Sequence, residues 1–141
     1  MILFRSGGGG RPTHKELSAR LREAIEFVRS DKWSAANPGK FKANLDKLEQ
    51  DFGIDVTLKE DQTDVLLGVL AELSPEHYAG GHPPEKSYEK ATPNQELLEF
   101  RWTSHCFSSV VMYFKFAIFG KAEHRRLFVY SLHRNREEGD E

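Results

Sequence analysis

Three runs of apolar residues occupy the later part of the chain, at residues 97–103, 110–119 and 127–134. They are rich in aromatic and β-branched side chains, which suit a pleated strand. The polar segments between them, residues 104–109 and 120–126, are as short as the links that join antiparallel neighbours. The pattern therefore predicts three consecutive antiparallel strands.

Alternation within these runs predicts a sheet with two different faces, because successive side chains of a strand point to opposite sides. The predicted apolar face, which needs a covering layer, consists of Leu98, Phe100, Trp102, Val110, Met112, Phe114, Phe116, Ile118, Phe128, Tyr130 and Leu132. The predicted polar face consists of Glu99, Arg101, Tyr113, Lys115, Ser131 and His133. If the strands are neighbours, cationic, phenolic and imidazole groups meet on one surface.

Apolar positions at helical spacing predict three amphipathic helices before these strands. The first begins at Thr13, with Glu16 at the capping-box distance. The second helix follows a turn at residues 37–39 and ends at Gly53, and the third helix contains residues 65–73. The order of elements predicts an α+β fold, with three amino-terminal helices packed on one face of a mainly antiparallel three- to four-stranded sheet.

Composition divides the chain into one domain and two short ends. We expect a flexible amino-terminal segment at residues 1–12, a single α+β domain at residues 13–136 and an acidic tail at residues 137–141. The glycine run Gly7–Gly10 is interpreted as a joint, because the Lys-Ser or Lys-Thr pair of a phosphate-binding loop does not follow it.

Charge and cysteine content narrow the classes of function. The net charge of -2 gives no general attraction to nucleic acid, so any such binding requires a local patch. The single Cys106 excludes an internal disulfide, and we expect it to be an inert thiol. His77 and His82 have no recognisable metal-ligand spacing, so neither a metal nor a cofactor is expected. No apolar run reaches the roughly 18 residues of a membrane span, so we expect a cytoplasmic protein with no membrane partner.

The predicted polar face carries groups suited to phosphodiester chemistry. Arg101 and Lys115 are placed to hold a phosphate and to stabilise its charge. Tyr113 and His133 are candidates for proton transfer, with Glu99 as a further base. RNA cleavage needs no external nucleophile, because the 2′-hydroxyl can attack the neighbouring phosphate. A purely structural interpretation stays open, since a solvated sheet face must carry polar residues.

Residues 66–134 resemble the motility quorum-sensing regulator family of type II toxins, which belongs to the wider RelE-like mRNA interferase fold. The resemblance rests on residues 73–78 (Leu-Ser-Pro-Glu-His-Tyr), 98–100 (Leu-Glu-Phe), 111–115 (Val-Met-Tyr-Phe-Lys) and 127–133 (Leu-Phe-Val-Tyr-Ser-Leu-His). The order of helices extends it to residues 13–134. Tyr113 matches the family's strand tyrosine, and His133, with Arg134 beside it, matches the basic residue that ends the last strand. Ala79 stands where the family has a basic residue, and Lys86 lies further on.

The resemblance implies a metal-independent endonuclease that cleaves single-stranded RNA and is neutralised by an antitoxin protein. The predicted catalytic residues are Tyr113, His133, Lys115 and Arg101, and the predicted RNA-binding residues are Arg134, Arg136 and Lys86. The alternative is a non-catalytic module that uses the same fold to bind RNA or protein.

Overall fold

The computed structural model describes residues 12–80 and 97–135. The regular elements, in chain order, are α1 (His14–Arg29), β1 (Trp33–Ala35), α2 (Pro38–Phe52), α3 (Lys59–Glu72), β2 (Tyr78–Gly80), β3 (Leu97–Ser104), β4 (Val110–Phe119) and β5 (Arg126–Arg134). Single turns of 3₁₀ helix occupy Pro75–His77, His105–Phe107 and Ala122–His124. The Gly7–Gly10 run and the predicted acidic tail lie outside the described residues.

The strands form one five-stranded sheet in the order β1-β5-β4-β3-β2. β1 runs parallel to β5, and the other neighbouring pairs are antiparallel. The part of the chain that the structure describes is an α+β fold with three α-helices, but the predicted arrangement is wrong. The sheet has five strands and is mixed, and β1 separates α1 from α2, so the helices do not precede the sheet as a block. Both added strands have three residues, which is too short for an alternation pattern to reveal.

Local signals in the sequence explain where the helices begin and end. The capping box predicted for α1 is confirmed, because the Thr13 amide donates to Glu16 Oε1 at 2.7 Å and the Glu16 amide donates to Thr13 Oγ1 at 3.1 Å. Asn37 caps α2 by accepting from the Lys40 amide at 3.1 Å. Gly53 ends α2 with a left-handed φ of 66°.

The main core lies between the helices and one face of the sheet. Its centre is a set of aromatic rings on β3 and β4, where Phe100, Phe114 and Phe116 are each 0% exposed. Phe116 lies 5.9 Å from Phe100 and 5.2 Å from Phe114 between ring centroids. Trp33 of β1 contacts Phe41 of α2 edge-on, so the short first strand also anchors the helical layer.

A bulge in β5 changes which of its side chains face this core. Lys115 pairs with Ser131 but Phe116 pairs with Val129, so Tyr130 is an additional residue in β5. The prediction that Phe128 and Tyr130 face the main core is therefore wrong. They lie on the opposite face in a second small cluster with Leu97, Ala117 and Phe119.

The carboxylate of Glu72, the last residue of α3, connects the helical layer to β3 through hydrogen bonds. The side chain of Glu72 accepts hydrogen bonds from four groups: Trp102 Nε1 at 2.8 Å, Ser104 Oγ at 2.6 Å, the His105 amide at 2.8 Å and the Cys106 amide at 3.2 Å. Burial raises the pKa of Glu72, but these hydrogen bonds outweigh it and the net pKa is below the ordinary 4.5. Glu72 therefore acts as an ionised clamp between α3 and the turn after β3.

Side-chain contacts also protect the outer edge of β5. β1 covers only the part of this edge between Leu127 and Val129. Further along the strand, the Leu132 amide donates to Asn44 Oδ1 of α2 at 2.9 Å. A strand edge whose amide groups are already bonded offers less opportunity for pairing with another chain.

Candidate functional site

A row of three side chains crosses the sheet on the face opposite the main core. The strand register sets Arg101 of β3 opposite Tyr113 of β4, and Tyr113 opposite His133 of β5. The Tyr113 and His133 rings are stacked, with centroids 5.0 Å apart and planes inclined by 26°. The guanidinium carbon of Arg101 lies 5.5 Å from the Tyr113 ring centroid, which is within cation–π range.

A second row lies directly beside the first and contains Glu99 and Lys115, which are opposite each other on β3 and β4. The Tyr113 hydroxyl donates to Glu99 Oε1 at 2.6 Å. Lys115 Nζ lies 3.9 Å from Glu99 Oε2. We call Glu99, Arg101, Tyr113, Lys115 and His133 the sheet-face cluster. Glu99 connects the two rows, because it accepts a hydrogen bond from the Tyr113 hydroxyl and its charge is compensated by Lys115.

The members of the sheet-face cluster differ in exposure. Arg101 is exposed, and Tyr113 and His133 are half-buried. Lys115 is only 4% exposed, so its ammonium group faces Glu99 within the protein. Sequence alternation predicts the face on which a lysine lies but not its depth. The expectation that Lys115 holds a phosphate at an open surface does not fit this burial.

Two hydrogen bonds orient the outer members of the cluster, Arg101 and His133. Arg101 Nε donates to Asn135 Oδ1 at 2.9 Å, which fixes the guanidinium plane beside Tyr113. His133 Nδ1 lies 2.7 Å from the Arg134 carbonyl oxygen. Because a carbonyl oxygen only accepts, Nδ1 carries a proton in this contact, so Nε2 is the nitrogen that can accept a proton when the ring is neutral. Asn135 was missed in the sequence because it follows the last apolar run, although alternation places it near Arg101.

The predicted RNA-binding residues do not join this cluster. Arg134 pairs with Met112, whose side chain lies in the main core, so Arg134 is on the helical side of the sheet. There its Nη1 lies 3.9 Å from Asp51 Oδ2 of α2. Lys86 and Arg136 lie outside the described residues. The RNA-binding expectation for these three positions therefore gains no support from the sheet-face cluster.

The thiol near the Glu72 clamp is separate from the cluster. Burial raises the pKa of Cys106, and the charge of Glu72 raises it further. A raised pKa lowers the thiolate fraction and so lowers reactivity.

Residues 12–80 and 97–135 contain neither a metal-binding group of side chains nor a membrane-spanning helix. In these ranges no three His, Cys, Asp or Glu side chains are grouped so that they could hold a metal ion. Within the same ranges, none of the helices combines the length and the apolar character of a membrane span.

Comparisons with protein-family models, curated proteins and solved structures returned no match to this chain. The cluster combines a basic imidazole, a phenol bonded to a carboxylate and an exposed guanidinium on one rigid surface. Such a set can transfer protons and stabilise an anion without a metal.

Proposed function

We propose that the protein is a metal-independent endoribonuclease toxin of a type II toxin–antitoxin pair, which acts on single-stranded RNA in the cytoplasm. The observation that carries the proposal is the row Arg101–Tyr113–His133, in which the Tyr113 hydroxyl bonds to Glu99 at 2.6 Å. These groups sit on three neighbouring strands, so the sheet holds them in place before a substrate arrives. The resemblance to the motility quorum-sensing regulator family supports the same activity.

The proposed step is an internal transfer at one phosphate of the RNA. His133 Nε2 accepts the proton of the 2′-hydroxyl, and the 2′-oxygen forms a bond to the adjacent phosphorus. The bond from phosphorus to the 5′-oxygen breaks, and Tyr113 donates its proton to that oxygen. The products are a 2′,3′-cyclic phosphate and a 5′-hydroxyl, and the proton on His133 returns through water to Tyr113. Both groups thus alternate between acid and base forms.

The cations of the cluster have different parts in this proposal. Arg101 is exposed and is assigned to the negative charge that develops on the phosphate oxygens. Lys115 is buried beside Glu99 and is assigned to the orientation of Glu99, which in turn positions the Tyr113 hydroxyl. Arg134 has no part in the step, because it lies on the other face of the sheet.

Cleavage of a defined single-stranded RNA by purified protein in a metal chelator tests the activity. We expect products with 2′,3′-cyclic phosphate and 5′-hydroxyl ends. Tyr113→Phe and His133→Ala should each lower the cleavage rate by roughly 10²- to 10⁴-fold, the range of general acid–base contributions. His124→Ala is the matched control, because His124 is exposed in the turn between β4 and β5. Wild-type cleavage rates in both cluster variants would contradict the catalytic assignment.

Partner neutralisation is tested separately. Expression of the wild-type chain should arrest growth, and the antitoxin expected from the resemblance should reverse the arrest. A cluster variant that folds but no longer cleaves RNA should not arrest growth. Arrest by the Tyr113→Phe protein at wild-type strength would separate toxicity from the proposed chemistry.

A non-catalytic RNA-binding module is the second candidate, and the burial of Lys115 favours it. With Lys115 paired to Glu99, Arg101 is the cluster's exposed cation, and the stacked rings of Tyr113 and His133 form a surface for bases. In that case the wild-type protein binds single-stranded RNA without cutting it. Replacement of Tyr113 by Ala then weakens binding, whereas Tyr113→Phe keeps it, because stacking needs the ring and not the hydroxyl.

A further inference from the structure

A cavity of about 390 Å³ lies between α2 and the segment that joins α2 to α3. Its first wall is a stripe of side chains that recur at the spacing of one face of α2, from Pro38 to Glu49. Its second wall consists of Val56 and Thr57 of the joining segment and Gln62 of α3. The sheet-face cluster contributes no side chain to this lining, so the cavity is a separate site.

Hydrogen bonds between side chains and backbone hold the second wall in place. Glu49 Oε2 accepts from the Val56 amide at 3.1 Å and from the Thr57 hydroxyl at 3.4 Å. Gln62 Nε2 donates to the Val56 carbonyl oxygen at 3.0 Å. The amide and the carbonyl of Val56 are thus bonded to side chains from two different helices. Because the cavity is formed before a ligand arrives, binding does not have to order its walls.

The floor of the cavity is apolar. Phe41, Leu45 and Val56 line it and are 7%, 8% and 2% exposed. The Phe41 ring is fixed by its edge-on contact with Trp33, at 5.8 Å between centroids. A carbon skeleton placed against this floor is removed from water, which favours binding. The volume of the cavity lies within the range of small-molecule sites.

The charged side chains of the lining leave one negative charge without a counter-ion. Lys42 Nζ lies 3.1 Å from Asp46 Oδ1 and 3.2 Å from Asp46 Oδ2, so these two charges compensate each other. Glu49 is half-buried, and the groups that bond to its Oε2 are neutral. Among residues 12–80 and 97–135, no lysine or arginine forms an ion pair with Glu49. The excess charge therefore lies at Glu49, beside the apolar floor.

We propose that this cavity binds a small organic ammonium ion, with its charged group at the Glu49 carboxylate and its carbon skeleton against Phe41 and Leu45. A hydrogen bond between an ammonium donor and a carboxylate is roughly twice as strong as one between neutral groups. The same carboxylate repels organic anions, and a neutral molecule of equal shape gains only the contact with the floor. The inference does not depend on the proposed nuclease activity.

The test is a titration of the full chain, followed by amide chemical shifts in NMR at neutral pH and constant ionic strength. The probes are phenethylammonium, butylammonium and the neutral phenethyl alcohol. We expect both ammonium probes to shift the amides of residues 41–49 and 56–57. Phenethyl alcohol should bind about tenfold more weakly than phenethylammonium, as for the loss of one charge-assisted contact. Tighter binding of phenethylammonium than of butylammonium identifies an aromatic skeleton, and equal affinity identifies an aliphatic one.

Matched variants separate the Glu49 carboxylate from general charge attraction. Glu49→Gln removes the charge but keeps an oxygen that accepts from the Val56 amide, so the second wall is retained. It should weaken binding of phenethylammonium about tenfold and leave binding of phenethyl alcohol unchanged. Glu26→Gln, which removes an exposed carboxylate of α1, should leave both affinities unchanged. His133→Ala should bind phenethylammonium like the wild type, so failure of the nuclease proposal leaves this one intact.

Three results would overturn the inference. The first is the absence of ammonium-dependent shifts at the amides of residues 41–49 and 56–57. The second is equal affinity of the wild type for phenethylammonium and phenethyl alcohol, which decides the question even if Glu49→Gln does not fold. The third is an equal loss of affinity in Glu49→Gln and Glu26→Gln, which would indicate unspecific attraction.

Discussion

Removal of the Glu72 carboxylate tests how the helical layer is attached to the sheet. In Glu72→Ala, the donors that now converge on one carboxylate lose their acceptor together. They include Trp102 Nε1 and the hydroxyl of Ser104, a residue that is 0% exposed. A buried donor without an acceptor costs the desolvation of that group, so the loss exceeds that of an ordinary surface contact.

The expected magnitude follows from the number and character of these bonds. A hydrogen bond to a charged group contributes about 1.5–3 kcal/mol. The four bonds share one partly exposed carboxylate, so their contributions are not additive and water replaces some of them. We expect Glu72→Ala to lower the free energy of unfolding by about 2–3 kcal/mol.

Urea denaturation followed by tryptophan fluorescence and circular dichroism measures this loss. The control is Glu26→Ala on α1, where Glu26 forms an exposed ion pair with Arg29 at 3.3 Å. This control should change stability by less than about 0.5 kcal/mol, as is usual for an exposed pair. A loss below about 1 kcal/mol in Glu72→Ala would refute the reasoning, because buried donors without acceptors cost more.

The same clamp predicts a dependence on pH. The folded pKa of Glu72 lies below the ordinary 4.5, so its ionised form is stabilised by folding. The stabilisation is complete above pH 4.5 and is lost as the pH falls through the lowered folded pKa. The stability difference between wild type and Glu72→Gln should therefore be constant from neutral pH down to about pH 5 and shrink in more acidic solution. A difference that grows on acidification would contradict this assignment.

Four further substitutions test other parts of the fold by urea denaturation. Gly120→Ala should lower the free energy of unfolding by about 2–4 kcal/mol, because the new Cβ would meet a backbone oxygen at 2.5 Å. Gly53→Ala should lower it by only about 1 kcal/mol, because nothing lies within 4 Å of a Cβ at that position. Equal losses of stability in these two variants would contradict the difference in the room available for a Cβ atom at the two positions. Asn44→Ala should cost about 1 kcal/mol and speed hydrogen exchange of the Leu132 amide; unchanged exchange would exclude that bond. Phe116→Ala should cost about 3–5 kcal/mol, because the ring is 0% exposed, and a smaller loss would indicate that the site collapses.

Sequence periodicity predicted α1, α2 and β3 because each of them places buried residues at a regular spacing over many residues. The residues of β3 and β4 predicted to face the helices, such as Phe100 and Phe114, lie in the main core. The parallel β1 could not be found in this way. Its three residues show too little alternation, and their partners on β5 lie far away in sequence. Short strands are set by tertiary pairing and not by local preference.

Three features of the sheet explain where the predictions for individual residues failed. The extra residue Tyr130 reverses the alternation along β5, so a strict period of two assigns Phe128 to the wrong side. Arg134 follows His133 directly, and adjacent residues of a strand point to opposite faces of the sheet. The two side chains therefore cannot lie on the same surface. The depth of Lys115 depends on what surrounds it in three dimensions, and a linear pattern does not contain that information.

The parallel pairing of β1 with β5 also constrains the order of folding. The strands joined by this pair come from opposite halves of the sequence, with Trp33 beside Leu127. During synthesis on the ribosome, α1 and α2 emerge long before the strand that fills the space between β1 and β4. The apolar side of α2 packs mainly against β5 and therefore stays uncovered until β5 is made, and loop closure over such a distance slows the final collapse. A nascent chain stopped before β5 would be expected to recruit chaperones that bind exposed apolar segments.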